Sequence, residues 1–247
     1  MQELVLALVG IVAGFVNVMA GGGSLLVMPV MVLMGLPGPT ANGTTRVAIL
    51  AQNIAATAGF RRKGYRDIRL GLTLAACAVP GAAVGALLGT RLEGVLFNRV
   101  LAGVMIAVII LMATGSKHAP AIETRRPLTR GRLVLGHGLM VVAGFYGGFI
   151  QAGVGFIMMA ILHRVMGLDL VRVNMHKVFI VGVYTVVALA VFAARGNVLW
   201  RTGLVLAAGM ALGGWIGSHV AVGKGEKFIR IVLNVALVAM AAKLLFW

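Results

Sequence analysis

Two stretches of the sequence place glycines beside polar side chains in a pattern that could bind a small anion. The first, residues 17–24, contains three consecutive glycines, and its counterpart, residues 151–156, contains two. A short apolar segment follows each stretch, and we predict that it forms a helix. Because a helix N-terminus carries partial positive charge and unpaired N–H groups, it binds anions. Two such ends brought together would form an anion pocket, although glycines in membranes also serve tight helix packing.

A second pair of motifs combines amides, hydroxyls and cations. Residues 42–46 read Asn-Gly-Thr-Thr-Arg, and their counterpart, residues 174–177, reads Asn-Met-His-Lys. Charged side chains cost free energy at membrane depth, so we expect Arg46 and Lys177 to face a cavity or a counter-ion. The alternative for Arg46 is a long side chain that reaches back to the aqueous surface.

The uncharged members of these motifs have simpler alternatives. Asn42 and Thr45 could cap a helix, and His176 could be structural, although it could also carry a proton. Gln52 and Asn53, further along the same segment, could contact a substrate or bond to neighbouring helices. The predicted substrate-binding residues are Asn17, Gly21, Gly22, Gly23, Ser24, Asn42, Thr44, Thr45, Arg46, Gln52, Gln151, Gly153, Gly155, Asn174, His176 and Lys177.

The acidic residues argue against a cationic substrate and against enzyme chemistry. All six lie in loops or at the ends of apolar segments: Glu3, Asp67, Glu93, Glu123, Asp169 and Glu226. Without a carboxylate in the membrane interior, a cation has no partner there. The sequence also contains no paired carboxylates, no nucleophile beside a base and a single cysteine. We therefore predict no catalytic residue, no metal site and no cofactor.

The composition is that of a membrane protein. Hydrophobic residues make up 60% of the 247 residues and charged residues 11%, whereas a soluble domain carries about 25% charged residues. Lipid offers no partner for backbone polar groups, so the apolar segments must be helices, and we predict an all-α polytopic protein. The net charge of +16 would suggest a nucleic-acid partner in a soluble protein. Here the basic residues lie between apolar segments, where they act as topology signals, so we predict no nucleic-acid partner.

The sequence repeats itself with an offset of about 132 residues. Ala-Gly-Gly-Gly at 20–23 aligns with Ala-Gly-Val-Gly at 152–155, and matched asparagines, arginines and glycines follow. We predict a first membrane repeat at 1–115, a cytoplasmic linker at 116–132 and a second repeat at 133–247. The predicted helical segments are 3–19, 23–35, 40–60, 69–90 and 96–115, then 133–151, 155–167, 173–194, 201–222 and 228–246.

The second segment of each repeat is too short to span a bilayer, so we predict a broken or re-entrant helix there. The basic residues are concentrated in the linker and in the loop at 61–69, which places both in the cytoplasm and the termini outside. An odd number of crossings per repeat then inserts the two repeats in opposite orientations. Such inverted repeats are typical of secondary transporters, whose substrate site lies between the halves.

The sequence resembles, over nearly the whole chain, the TauE/SafE sulfite exporter family, also called the toluene-sulfonate uptake permease family. The resemblance rests on Gly-Phe at 14–15, on the run Ala-Gly-Gly-Gly-Ser-Leu-Leu-Val-Met-Pro at 20–29, on Gly-Leu-Pro at 35–37 and on residues 41–45. Members look like multi-pass inner-membrane carriers of sulfite, sulfoacetate and other organosulfonates. The resemblance implies a secondary transporter of such an anion across the bacterial inner membrane, with the anion and the lipid bilayer as its partners.

The second repeat departs from this pattern. Val154 interrupts its glycines, and Met175 and His176 stand where the first repeat has Gly43 and Thr44. The two repeats therefore need not contribute equally to the pocket. The alternatives are a carrier or passive channel for another small anion, such as a carboxylate, and a membrane-embedded enzyme. The sequence indicates no oligomeric state.

Overall fold

The computed structural model describes residues 2–92, 94–97, 99, 100, 102, 103, 106 and 128–245, and every regular element in these residues is a helix. This confirms the predicted all-α class. The helices are α1 (Gln2–Ala20), α2 (Ser24–Leu33), α3 (Gly38–Arg62), α4 (Ile68–Gly89), α5 (Arg130–Phe149), α6 (Val154–Ala160), α7 (Leu170–Ala194) and α8 (Trp200–Leu245). A π-helical segment, Ile161–Val165, continues α6.

Among the described residues, five helices are long and apolar enough to cross a membrane: Glu3–Ala20, Ile68–Gly89, Arg130–Phe149, Leu170–Ala194 and Trp200–Leu233. Their outward faces expose large apolar side chains such as Leu8, Val142 and Val186, as lipid contact requires. Helices α2 and α6 are short and apolar, as predicted for the second segment of each repeat. The chain is therefore an integral membrane protein.

Helix α3 is long, but it carries many polar residues. Six of these are buried inside the bundle, where α3 packs against α7 and α8, whereas Arg61 and Arg62 at the end of the helix are exposed. Because the six residues are surrounded by protein, hydrogen-bond partners are available to them that lipid would not offer. The buried polar residues are Asn42, Thr44, Thr45, Arg46, Gln52 and Asn53.

Several predicted boundaries change. Helices α3 and α7 begin at Gly38 and Leu170, about one turn before Asn42 and Asn174. Asn42 is therefore inside a helix, and its interpretation as a cap is wrong. The predicted segments 201–222 and 228–246 are two helices that meet at Gly225, whose backbone is not helical (φ 67°, ψ −166°), and α8 denotes both together. The predicted segment 96–115 lies largely outside the described residues, as do linker residues 116–127.

The repeated sequence carries a repeated backbone conformation. Positive φ is favourable only for glycine, because a Cβ would clash with the backbone. Three pairs of glycines with this conformation are separated by the offset of the repeat: Gly21 (86°) and Gly153 (72°), Gly35 (87°) and Gly167 (76°), and Gly64 (88°) and Gly196 (72°). The chain thus leaves its helices at equivalent points in both halves.

Helix α1 packs along α8, and α5 packs along α4. Both contacts are made by glycines that let two backbones approach closely. In the first contact, Gly209 and Gly213 lie against the carbonyls of Ala7 and Ile11; in the second, Gly81 and Gly85 lie against those of Val141 and Phe145. Residue numbers rise together along both contacts, so each pair of helices is parallel.

Each of these two contacts joins one helix from each half. In the repeat, α1 corresponds to α5 and α8 to α4. Helix α1 of the first half packs on α8 of the second half, and α5 of the second half packs on α4 of the first. Helices α3 and α7, which also correspond, cross in opposite directions: Gly43 lies beside Phe192, and Asn53 lies beside Gly182. An inverted repeat would produce this arrangement, and the opposite insertion of the halves stays a prediction.

Candidate functional site

The two glycine breaks meet in the interior of the bundle. Gly21, between α1 and α2, lies so close to Gly155 that an added Cβ would come within 2.5 Å of the Gly155 carbonyl carbon. The Ser24 hydroxyl joins the same two breaks, since it donates to the Gln151 carbonyl (3.2 Å) and accepts from the Gly153 N–H (3.1 Å). The predicted convergence of the two breaks is therefore present in the structure.

A small buried cavity lies beside this contact. It offers about 10 Å³ to the centre of a water-sized sphere, enough for about one water molecule. Its lining combines polar and apolar side chains, and none of the described lining residues is acidic. The lining residues are Asn17, Ser24, Gln52, Asn53, Gln151 and Lys177, together with Gly155, Val154, Val178 and Val181.

Three amides in this lining form a chain of hydrogen bonds. Asn17 Nδ2 donates to Gln52 Oε1 (2.9 Å), and Gln52 Nε2 donates to Asn53 Oδ1 (3.4 Å). The chain ends at Asn53 Nδ2, which is buried and donates to no described protein atom. A buried donor without an acceptor costs about 1–3 kcal/mol. Asn53 therefore offers a hydrogen bond to whatever enters the cavity.

Arg46 is fully buried, so the alternative that it reaches the aqueous surface is wrong. One terminal nitrogen donates to the Gly147 carbonyl (3.1 Å) and to Gln151 Oε1 (3.2 Å). The other donates to Asn42 Oδ1 (3.2 Å) and to the Gly148 carbonyl. Gly147 and Gly148 lie in the last turn of α5, whose final carbonyls have no intrahelical partner and attract cations. Arg46 thus closes the end of α5.

Lys177 binds the end of α1 in the same way that Arg46 binds the end of α5. Its ammonium donates to the carbonyls of Asn17 (3.0 Å) and Val18 (2.8 Å) and to Asn174 Oδ1 (2.7 Å). An ammonium has three protons, so these bonds use all of them. Asn174 also donates to the Met19 carbonyl (3.2 Å). Each glycine break therefore has a buried cation on the helix end that precedes it.

Neither buried cation has a carboxylate partner in the part of the chain that the structure describes. The described acids lie towards the ends of the bundle, where Glu3 pairs with Arg201, Asp169 with Arg172 and Glu226 with Arg230. Among the described residues, carbonyl and amide dipoles and one aromatic ring, instead of a carboxylate, surround the Arg46 and Lys177 head groups. This electrostatic environment favours an anion.

Some predicted site residues lie elsewhere. Thr44 accepts from the Leu199 N–H (3.0 Å), Thr45 donates to the Ala41 carbonyl (2.7 Å), and His176 faces Asp67. Asn42 and Asn174 hold the two cations without lining the cavity. Gly22, Gly23 and Gly153 shape the breaks: a Cβ on Gly23 would meet Asn17, and the Gly22 carbonyl accepts from the Leu25 N–H (3.0 Å).

The list of predicted site residues omitted the three valines of the lining and Asn53, although Asn53 was considered with Gln52 as a possible substrate contact. Asn53 had a signal in the sequence, because it adjoins Gln52 in a segment otherwise rich in alanine and isoleucine. The valines had none, since apolar residues fill most positions of every helix. Their place in the cavity depends on which face each helix presents.

Long apolar helices around two broken helices, with a buried donor-rich centre, define an integral membrane protein with a polar interior. The chain belongs to the family described as sulfite exporter TauE/SafE, whose family model matches residues 6–244. This confirms the resemblance seen in the sequence.

Curated relatives cover nearly the whole chain. A "probable membrane transporter protein ORF9" of Sinorhizobium sp. is 30% identical over 234 residues, 95% of this chain and 88% of the relative. The "probable membrane transporter protein YfcA" of Escherichia coli K12 is 28% identical over 245 residues, 98% and 89% of the two chains. A "probable membrane transporter protein" of Haemophilus influenzae is 27% identical over 242 residues, 98% and 94%. The family and these names indicate a membrane transporter rather than an enzyme, and no solved structure matches the chain.

Proposed function

We propose that the protein is a secondary transporter that carries a small sulfur-containing anion, such as sulfite, sulfoacetate or another organosulfonate, across the bacterial inner membrane. The observation that carries the proposal is the pair of buried cations, Arg46 and Lys177, without a described carboxylate partner. A buried charge without a counter-ion costs several kcal/mol, and an anion at the site recovers part of that cost. The family's description as a sulfite exporter supports sulfur as the central atom.

The cavity supplies specific contacts as well as charge. Asn53 Nδ2 is the free donor, and Gln52 and Ser24 line the same space. Because the three protons of Lys177 are already bonded, its contribution is mainly electrostatic until an anion displaces one of its carbonyl partners. Val154, Val178 and Val181 form the apolar part of the lining, which suits the hydrocarbon part of an organosulfonate.

The conformation described is closed around the site. The cavity holds about one water molecule, and sulfite is larger than that. In the proposed cycle, the helices around the glycine breaks separate to admit the anion from one side and later release it to the other. A carrier of this kind saturates with substrate, whereas an open channel does not.

The proposal is tested by flux into proteoliposomes that contain the purified protein. Radiolabelled sulfite and methanesulfonate should enter with saturable kinetics and compete with each other. Lys177→Met should lower the flux at least about tenfold, because it removes the buried charge beside the cavity. Lys227→Met is the matched control, since Lys227 is exposed at the end of the bundle.

Three outcomes would contradict the proposal. Absence of flux for both sulfur anions would rule out sulfur-containing anions as the substrate class. Flux of acetate that sulfite does not inhibit would assign the site to carboxylates. Non-saturating flux with single-channel currents would indicate a passive channel.

A further inference from the structure

A wide opening lies at the end of the bundle that the basic loops predict to be cytoplasmic. Its volume is about 540 Å³, and it lies between the loop after α3 and the start of α7. We call it the vestibule. The charged residues that line it come from both elements, with Met175 below them: Lys63, Arg66 and Asp67 from the loop, and Asp169 and Arg172 from the start of α7.

One turn of α7 separates the vestibule from the central cavity. Met175 lines the vestibule, whereas Lys177 and Val178 line the cavity. Three residues of a helix advance by about 4.5 Å. An anion that leaves the cavity towards the predicted cytoplasm therefore has a short path past this turn. His176 lies in the middle of it.

The His176 side chain is fully buried, yet neither ring nitrogen makes a hydrogen bond with a described atom. Nε2 lies 3.7 Å from Oδ2 of Asp67, which is half exposed in the loop before α4. Helix α4 meets the ring at Gly71, where an added Cβ would be 3.5 Å from Nδ1. The charged groups around the ring are the carboxylates of Asp67 and Asp169 and the guanidinium of Arg172.

The ring responds differently to Asp67 in its two protonation states. A neutral imidazole has one N–H, and in this position it leaves both nitrogens without a partner. A protonated imidazolium has two N–H groups and a positive charge, so it attracts the Asp67 carboxylate. Histidine changes state between about pH 5 and 8. A proton can therefore draw the loop that carries Asp67 towards α7.

We propose that Asp67 and His176 form a proton-dependent latch on the wall between the vestibule and the central cavity. Protonated His176 pairs with Asp67, holds the loop against α7 and keeps the wall closed. Neutral His176 releases the loop, and the anion passes between cavity and vestibule. The flux readout of this latch rests on the proposed function, whereas the titration of His176 does not.

The first experiment measures methanesulfonate exchange in proteoliposomes with equal pH on both sides. Methanesulfonate stays a monoanion across this pH range, so protonation of the substrate does not contribute to the pH dependence of exchange. Wild-type exchange should fall at least about threefold as the pH is lowered from about 8 to 5. Asp67→Asn and His176→Gln should each remove this fall. His137→Gln is the matched control and should keep it, because the His137 ring is bonded to the Leu133 carbonyl and the Thr73 hydroxyl in α5 and α4.

The second experiment needs no transport. Histidine-labelled protein in lipid nanodiscs is titrated by NMR, and the His176 signal is assigned by its loss in His176→Gln. The ring should titrate over the same pH interval in which exchange falls, and Asp67→Asn should move the midpoint to lower pH because the carboxylate that stabilises the imidazolium is gone.

The outcomes separate the latch from the transported substrate. A His176 ring that does not titrate in this range, or an Asp67→Asn protein with the wild-type pH profile, overturns the latch. Absence of methanesulfonate exchange at every pH, together with a His176 midpoint that Asp67→Asn moves, overturns the proposed substrate and supports the latch.

Discussion

The two buried cations occupy neighbouring positions in the repeat and are held differently. Arg46 spreads four bonds over two carbonyls and two amides, and the Phe192 ring lies 4.6 Å from its guanidinium carbon. The Lys177 ammonium donates to two carbonyls at the end of α1 and to one amide oxygen, and Lys177 also lines the cavity. A guanidinium fixes geometry through its planar fork, whereas an ammonium is a compact charge that exchanges partners easily. The comparison separates a structural cation from one placed to meet a substrate.

The largest expected effect follows from removing the structural cation. Arg46→Met leaves four acceptors without their donor, and only one of them, on Gln151, belongs to a residue that lines the cavity, so the unfolding free energy should fall by more than about 3 kcal/mol. Lys177→Met should cost less, since a water in the cavity can bond to the freed carbonyls. Thermal unfolding of the purified proteins in detergent measures both. Equal losses of unfolding free energy in the two variants would show that the two cations contribute equally to stability.

A second change acts on the contact that brings the two cation sites together. Gly21→Ala places a methyl group against the Gly155 backbone at a positive φ, so both stability and flux should drop strongly. Gly35→Ala isolates the conformational cost, because Gly35 has a similar φ and no atom within 4 Å of an added Cβ. That cost is about 1 kcal/mol. If the two variants lose the same stability and flux, the contact between the breaks is unimportant.

A third change tests the free donor on the Lys177 side. Asn53→Asp keeps an acceptor for Gln52 but replaces the free donor with a negative charge, so sulfite affinity should fall about tenfold or more. The control is Thr185→Val at the corresponding position of the second repeat, where the buried hydroxyl also lacks a described partner. Inhibition of methanesulfonate uptake by sulfite gives the affinities. Loss of sulfite affinity in both variants would mean that the two repeats contribute equally to substrate binding.

The smallest effect concerns the ring beside Arg46. Phe192→Leu removes a cation–π contact as well as buried volume, whereas Phe60→Leu removes volume from an equally buried phenylalanine that packs against Tyr65. Phe192→Leu should therefore cost about 0.5–1 kcal/mol more than Phe60→Leu. Thermal unfolding of the two variants gives the difference. A difference near zero would show that the hydrogen bonds alone hold the guanidinium.

Much of the fold could be predicted from the sequence, because lipid permits few structures. Uninterrupted apolar length identified the spans, and repeated glycines identified the breaks. The starts of α3 and α7 were predicted late, since Asn42 and Asn174 resemble caps while Asp169 performs that role for α7 by accepting from the Arg172 N–H. The polar residues around Gly225 predicted a break between the last two segments, and that glycine does leave the helical conformation.

The chemistry of the candidate site was predicted more easily than its contacts. The cost of burying charge identified Arg46 and Lys177 as exceptional residues. That each one closes a helix end depends on how α3 and α7 are placed against α5 and α1, which no local pattern encodes. The free donor of Asn53 likewise depends on the direction of the amide chain through Asn17 and Gln52.

The parallel packing of α1 on α8 has a consequence for biosynthesis. Helix α1 leaves the ribosome well before the glycine face that it packs against, around Gly209 and Gly213. Helix α1 must therefore remain in the bilayer without this packing partner until α8 has been inserted, which its apolar length allows. Assembly of the bundle is then a late event, and an amino-terminal half made alone would lack the surface that covers α1.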